Sequence, residues 1–197
     1  MLYTRKGDGG TTKLFGCPPD RTSGRAGEQK RISKSSAVAE ALGSLDEINS
    51  LLGLVKVKAK ELALAVKSLD NELVWQIIHQ IQHNLFIVQA ELAGADKHLT
   101  EAKVKRLEEV IDKIESEMPP IKSFFVSGGT ELAATFDYAR TIARRAERRV
   151  VKVVEEESRE IGEHTRQYLN RLSSALYALA RYSNFSAGIV EEPPHYE

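Results

Sequence analysis

The 197-residue sequence is poor in several features, and each shortage excludes a class of protein. A single cysteine, Cys17, excludes an intramolecular disulfide framework and a multi-cysteine zinc site. Only 6 prolines and 13 glycines accompany 42% hydrophobic residues, which argues against a disordered or collagenous chain. No apolar run approaches the roughly 18 residues that span a bilayer, and the start has no apolar core of a secretory signal. We therefore expect a cytoplasmic protein without a membrane partner.

Net charge is also lacking, because 28 Lys and Arg residues balance 28 Asp and Glu residues. Bulk electrostatics therefore gives no reason to expect nucleic acid or an anionic membrane as partner. Any anion site must come from local clustering of charge. Strand signals are almost absent as well, since no run with a period of two exceeds a few residues.

What the sequence does contain is helical periodicity from about residue 36 onward. Five apolar stripes run over 38–52, 73–92, 104–114, 132–150 and 169–180. Gly94 follows the second stripe, Pro119-Pro120 ends the third, and Thr130 is a plausible N-cap for the fourth. We predict an all-α fold: a five-helix antiparallel bundle over 36–190 with a non-helical, glycine-rich arm over 1–35. The whole chain, 1–197, is predicted to be one domain.

Two segments have the composition of an anion site. Residues 4–13, TRKGDGGTTK, combine glycines, hydroxyls and cations, although they lack the order of a Walker A loop. Arg140, Arg144 and Arg148 are spaced i, i+4, i+8 and so lie on one helix face, where guanidinium groups suit a polyphosphate. The alternatives are a mobile polar arm and a solvated face paired with acids of other helices. His79 and His83 lie one turn apart without the glutamate of a zinc motif, so we assign no protein metal ligand.

Five ordered motifs together resemble one known family. They are 4–12 TRKGDGGTT, 43–49 GSLDEIN, 124–130 FFVSGGT, 139–149 ARTIARRAERR and 168–173 YLNRLS. The chain resembles the ATP:cob(I)alamin adenosyltransferases of the propanediol-utilisation type, the family that includes the human methylmalonic-aciduria enzyme. The match covers nearly the whole chain apart from the excursion over 17–29 and the last few residues.

The resemblance implies an enzyme that transfers the 5′-deoxyadenosyl group of ATP to the cobalt of cob(I)alamin and releases triphosphate. It implies a homotrimer with sites at subunit interfaces, ATP as co-substrate with Mg²⁺ held mainly by its phosphates, and cobalamin as the other substrate. A flavoprotein-type reductase and an adenosylcobalamin-dependent mutase are possible partners. Two alternatives remain: a nucleotide-gated adenosylcobalamin carrier with weak catalysis, and a structural or nucleic-acid-binding bundle. Neutral charge weighs against nucleic acid.

The resemblance also implies roles for individual residues. The ATP-binding residues would be Thr4, Arg5, Lys6, Gly7, Thr12, Lys13, Lys34, Arg144, Arg145, Ala146, Glu147, Arg148 and Asn170. The catalytic residues would be Phe124, Arg144, Asp46 and Arg140, with Asp46 and Arg140 as an inter-subunit ion pair. Phe124 would lie against the lower corrin face and exclude the cofactor's own base, with Gly128 and Gly129 beside the corrinoid.

Two positions depart from the family pattern. Ser127 stands where proline is usual, and Ser174 stands where aspartate is usual. The loop between Gly16 and Lys34 is also longer than usual. None of these removes a residue assigned to ATP, so we expect any consequence on the corrin side of the site.

Overall fold

The computed structural model describes residues 3–15, 31–156 and 159–196. Its helices are α1 Ala37–Glu61, α2 Val74–Leu92, α3 Glu101–Ser116, α4 Glu131–Glu155 and α5 Glu163–Ser186. The five predicted helices and the non-helical N-terminal region are thereby confirmed. Within the described ranges, no helix is both long and apolar enough to cross a membrane.

Two very short antiparallel strand pairs accompany the helices. In the arm, β1 Thr11–Lys13 pairs with β2 Arg31–Ser33, and between α1 and α2, β3 Ala65–Val66 pairs with β4 Glu72–Leu73. Strands of two or three residues are too short to show a period of two, which is why the sequence does not reveal them. The predicted excursion over 17–29 lies outside the described residues.

The helices enclose one apolar core. α4 packs against α1 and α5, α2 packs against α1, and α3 packs against α5. Arg149 of α4 meets Glu40 near the start of α1 while Arg145 meets Glu47 about two turns later, so these two helices run antiparallel. Burial of the facing apolar stripes supplies the main stabilisation. Fully buried members include Leu45, Ile48, Leu52, Ile77, Leu85, Phe136, Leu176 and Leu179.

The connection from α3 to α4, residues 117–130, is named here the crossover loop. It leads from α3 to α4 across the C-terminal turns of α5, which hold both of its ends. Tyr182 Oη donates to Glu117 Oε2 at 3.1 Å, and Asn184 Nδ2 donates to the Gly128 carbonyl at 2.9 Å. The Thr130 amide in turn donates to Asn184 Oδ1 at 2.9 Å. As predicted, Thr130 caps α4, since its Oγ1 accepts from the Ala133 amide at 3.1 Å.

Two glycine-to-alanine substitutions should therefore change stability in opposite directions. Gly129 has φ +94°, and a Cβ there would lie 2.3 Å from the hydrogen-bonded Asn184 Oδ1. Gly129→Ala should lower the free energy of unfolding by about 2–4 kcal/mol through strain and lost hydrogen bonds. Gly43, inside α1 with open space around it, should gain about 0.5–1 kcal/mol as alanine. Urea unfolding at one protein concentration measures the free energy of unfolding of both variants. A change of the same sign and size in the two variants would contradict this account.

Candidate active site

The arginines of α4 divide into paired and unpaired groups. Arg145 Nη2 donates to Glu47 Oε1 at 2.6 Å. Arg149 lies 3.2 Å from Glu40 Oε2 and also donates to the Ser44 hydroxyl. Both arginines are therefore paired with acidic residues of α1, which is the alternative that the sequence analysis left open for this helix. Both contacts stabilise the α1–α4 packing.

Arg144 and Arg148 form the unpaired group. Both side chains are exposed, and neither makes an ion pair or hydrogen bond to another side chain within 3–15, 31–156 and 159–196. Glu147 lies between them in sequence and accepts from Asn170 Nδ2 of α5 at 3.1 Å. Like charges one turn apart repel each other, so this face is suited to an anionic ligand. We name Arg144, Arg148, Glu147 and Asn170 the cation face; Ala146 is buried behind it.

A cavity of about 240 Å³ adjoins the cation face. It is lined by Phe124, Phe125, Ser127, Arg140, Arg144, Ser173, Ser174 and Tyr177. Phe124 is 80% exposed, so it is not a core residue, and the chain holds a large apolar ring at the edge of the cavity instead. Three predicted catalytic residues, Phe124, Arg140 and Arg144, are thus brought together. The two departures from the family pattern, Ser127 and Ser174, line the same cavity.

Arg140 has an incomplete set of partners. Its Nε lies 3.6 Å from Asp137 Oδ1, and its guanidinium lies 5.7 Å from the centre of the Tyr177 ring. Burial raises the pKa of the Asp137 carboxyl, and the Arg140 charge opposes that rise. In the described part of the chain, Asp137 Oδ1 and Arg140 Nε are buried without a hydrogen-bond partner. Arg140 therefore keeps donor capacity for a further acceptor.

Asp46, the residue predicted to pair with Arg140, is exposed on α1. No ion pair joins it to Arg140 within this chain's described residues. The pairing was predicted between subunits, so it stays a prediction. Gly128 and Gly129, predicted beside the corrinoid, both have positive φ; the Gly128 carbonyl accepts from Asn184, and a Cβ added to Gly129 would clash with the Asn184 amide.

The arm is folded by a residue whose role the sequence analysis missed. Arg31 Nη2 donates to the carbonyls of Lys6 and Thr11, both at 2.8 Å, and its Nε donates to Thr11 Oγ1 at 2.8 Å. The Lys34 amide donates to the Gly10 carbonyl at 2.9 Å, and Lys34 Nζ lies 3.2 Å from where a Cβ on Gly7 would be. The only sequence signal for Arg31 is its charge at the end of the excursion.

Most predicted ATP-binding side chains of the arm remain accessible. Thr4, Arg5, Lys6, Lys13 and Lys34 are exposed, and Thr12 is half-buried. No hydrogen bond or ion pair among the described residues joins the arm to Arg144 or Arg148. Within the described residues of one chain, the two predicted halves of the ATP site are therefore not joined by a polar contact.

A helical bundle with a cation face, an adjoining cavity edged by an exposed aromatic ring and a glycine-rich arm is suited to an anionic ligand beside an apolar one. The chain belongs to the cobalamin adenosyltransferase family, whose profile matches residues 2–183. The resemblance read from the five motifs is thereby confirmed.

Relatives and solved structures agree with this membership. The corrinoid adenosyltransferase of Bacillus subtilis is 38% identical over 192 residues, which cover 95% of this chain and 89% of that protein. The corrinoid adenosyltransferase PduO of Citrobacter freundii is 36% identical over 193 residues, or 94% of this chain. The chain spans about half the length of that relative and of the PduO of Salmonella typhimurium, 50% in each case.

Two structures of the PduO-type ATP:corrinoid adenosyltransferase from Lactobacillus reuteri have the same fold. A phenylalanine-to-histidine variant complexed with cobalamin and ATP superposes with a TM-score of 0.82 at 29% identity, covering 99% of this chain and 97% of that chain. An arginine-to-lysine variant complexed with ATP gives 0.79 at 30% identity, covering 98% of this chain and 100% of that one.

Proposed function

We propose that this protein transfers the 5′-deoxyadenosyl group of ATP to the cobalt of cob(I)alamin and releases triphosphate. The observation that carries the proposal is the exposed Phe124 ring at the edge of a cavity that Arg140 and Arg144 also line. An apolar ring suits the face of a corrin, and unpaired guanidinium groups suit a triphosphate. Family membership and the cobalamin- and ATP-bound structural relatives support the same reaction.

The proposed chemistry is a nucleophilic displacement at carbon. The electron pair of Co(I) forms the bond to the ribose C5′ as the C5′–O bond breaks, and the leaving oxygen takes its pair into triphosphate. No side chain has to act as nucleophile, so the protein contributes binding, alignment and charge stabilisation. Arg144 and Arg148 are assigned to the phosphates, where charge on the leaving group develops.

Magnesium enters the proposal as an ion carried by ATP. The two guanidinium groups of the cation face would contact the phosphates and not the ion, and Glu147 is the one carboxylate of that face near which the ion could lie. Mg²⁺ in nucleotide sites is usually held by one or two carboxylates together with substrate phosphates. When bound, Mg²⁺ would neutralise part of the negative charge of the phosphates.

A homotrimer is proposed because no hydrogen bond or ion pair joins the two predicted halves of the ATP site within the described residues of one chain. An arm of one subunit placed against the cation face of the next would complete the site, as the resemblance implies. Asp46 of one subunit would then meet Arg140 of its neighbour. The reductase, the mutase and the cytoplasmic location stay predictions of the sequence analysis.

The decisive experiment is an anaerobic incubation with ATP, Mg²⁺ and chemically reduced cob(I)alamin. We expect the absorbance spectrum of a Co–C product together with one triphosphate released for each product formed. A carrier would bind ATP and adenosylcobalamin without releasing triphosphate. A structural or nucleic-acid-binding bundle would bind neither ligand.

Binding of ATP should also order the arm. Residues 4–13 are mostly exposed and have few apolar anchors, so their amides should exchange rapidly in the free protein. Saturating Mg²⁺–ATP should slow exchange over 4–13, while exchange in the core of α2 stays unchanged. Hydrogen–deuterium exchange by mass spectrometry measures both segments in one sample. Arm exchange indifferent to ATP would contradict the assignment of this segment.

A further inference from the structure

The segment that follows α5 returns onto the crossover loop. Arg181, in the last turns of α5, is buried, and its Nε donates to Glu191 Oε2 at 2.9 Å. The exposed fractions of the two side chains are 7% and 16%, which makes this the most buried Arg–Glu or Lys–Glu pair among the described residues. Because burying two charges costs free energy of desolvation, stability alone does not explain why this ion pair is here.

Arg181 also contacts the crossover loop directly. Its guanidinium lies 5.2 Å from the centre of the Phe125 ring, and Nη2 lies 3.4 Å from the Pro119 carbonyl oxygen. One side chain thus connects Glu191 to two points on the loop. Because Glu191 fixes the guanidinium, it also fixes the surface on which Phe125 packs.

A backbone hydrogen bond makes the second connection. The Val126 amide donates to the Glu192 carbonyl at 2.8 Å. Across the described ranges, this is the only backbone–backbone hydrogen bond made by residues 119–127. Phe124 itself is 80% exposed and has little packing of its own. Its position must therefore come from its neighbours, Phe125 on Arg181 and Val126 on Glu192.

We infer that Arg181 and Glu191 are positioning residues for Phe124: their ion pair closes residues 189–192 as a strap over the crossover loop and so holds the ring at the edge of the cavity. The effect that we expect these two residues to have on cobalamin chemistry rests on the proposed function. The strap itself is a property of the free protein and can be tested without cobalamin.

The first test compares Glu191→Gln with Glu192→Gln by hydrogen–deuterium exchange without ligands. Glu191→Gln removes the buried charge, whereas Glu192→Gln changes an exposed side chain and keeps the carbonyl that Val126 uses. We expect exchange over 120–128 to rise about 10- to 100-fold in Glu191→Gln, with α2 unchanged and Glu192→Gln equal to wild type. Wild-type exchange over 120–128 in Glu191→Gln would overturn the strap.

The second test measures turnover from Co(II), with a reduced flavin as the one-electron donor, and from chemically supplied Co(I) in the same variants. Glu191→Gln should slow the Co(II) reaction about tenfold or more and weaken the spectroscopic signature of four-coordinate Co(II), with ATP affinity and the Co(I) reaction less affected. A faster-exchanging loop with wild-type Co(II) turnover would overturn the positioning role. Absence of adenosyl transfer in the wild type would instead overturn the proposed function and leave the exchange comparison valid.

If Glu191→Gln lowers the melting temperature enough to obscure turnover, Val126→Pro replaces it. Proline removes the N–H that donates a hydrogen bond to the Glu192 carbonyl. The Val126 side chain that it replaces is exposed, and the substitution changes neither Arg181 nor Glu191. The same selective loss of Co(II) turnover is expected. Full Co(II) turnover in a folded Val126→Pro protein would overturn the inference.

Discussion

Replacing Phe124 with alanine is expected to slow turnover from Co(II) by about 100-fold while leaving ATP affinity nearly unchanged. Reduction of Co(II) to Co(I) is difficult while an axial ligand donates electron density to the metal. An apolar ring against the lower corrin face would exclude water and the cofactor's own base, leaving cobalt four-coordinate. The exposed Phe124 ring beside the cavity has the shape and position for that task.

The same substitution should leave the fold intact. Truncation of a buried phenylalanine costs about 3–5 kcal/mol, but an 80% exposed one should change the free energy of unfolding by less than about 0.5 kcal/mol. Turnover from chemically supplied Co(I) should fall less than turnover from Co(II). Thermal melts, ATP titration and Co(II) spectra on one preparation make the comparison. A normal four-coordinate signal in folded Phe124→Ala would exclude this role for the ring.

The positions of the helices follow from local signals in the sequence. Apolar residues with helical spacing fill the inner faces, and Pro119-Pro120 and the Thr130 cap mark the boundaries around the crossover loop. Such signals act over a few residues, so they can be read without the tertiary fold. The short pairs β1–β2 and β3–β4 give no comparable signal.

The candidate site depends on contacts that no local pattern encodes. Five arginines of α4 look alike in sequence, and only packing against α1 separates Arg145, whose partner Glu47 is 98 residues away, from the unpaired Arg144. Phe124 and Phe125 are adjacent aromatics that both line the cavity, yet only Phe125 packs on Arg181, while Phe124 is 80% exposed. The role of Arg31 could not be predicted from the sequence either, because its acceptors lie 20 and 25 residues earlier in the chain.

The division of the arginines leads to the second large effect. Arg144→Ala or Arg148→Ala should lower kcat/KM for ATP by about 30- to 1000-fold, equivalent to about 2–4 kcal/mol of transition-state stabilisation. Neither side chain has a partner to lose within the described part of the chain, so the melting temperature should stay near that of the wild type. Removing either charge would also reduce like-charge repulsion along α4.

Arg149→Ala is the matched control, since it removes the same side chain from the same helix. Arg149 is committed to Glu40 and Ser44 of α1, so its loss should lower stability by about 1 kcal/mol or less and leave turnover near wild type. Steady-state kinetics with cob(I)alamin, run beside thermal melts, separates the two groups. If Arg144→Ala and Arg148→Ala instead lost melting temperature and kept activity, these arginines would stabilise the fold, and the triphosphate would have to be bound elsewhere. If Arg144→Ala and Arg148→Ala lose activity while Arg149→Ala loses only stability, the unpaired guanidinium groups bind the phosphates. The arginines of the two groups have the same side chain and differ only in their partners.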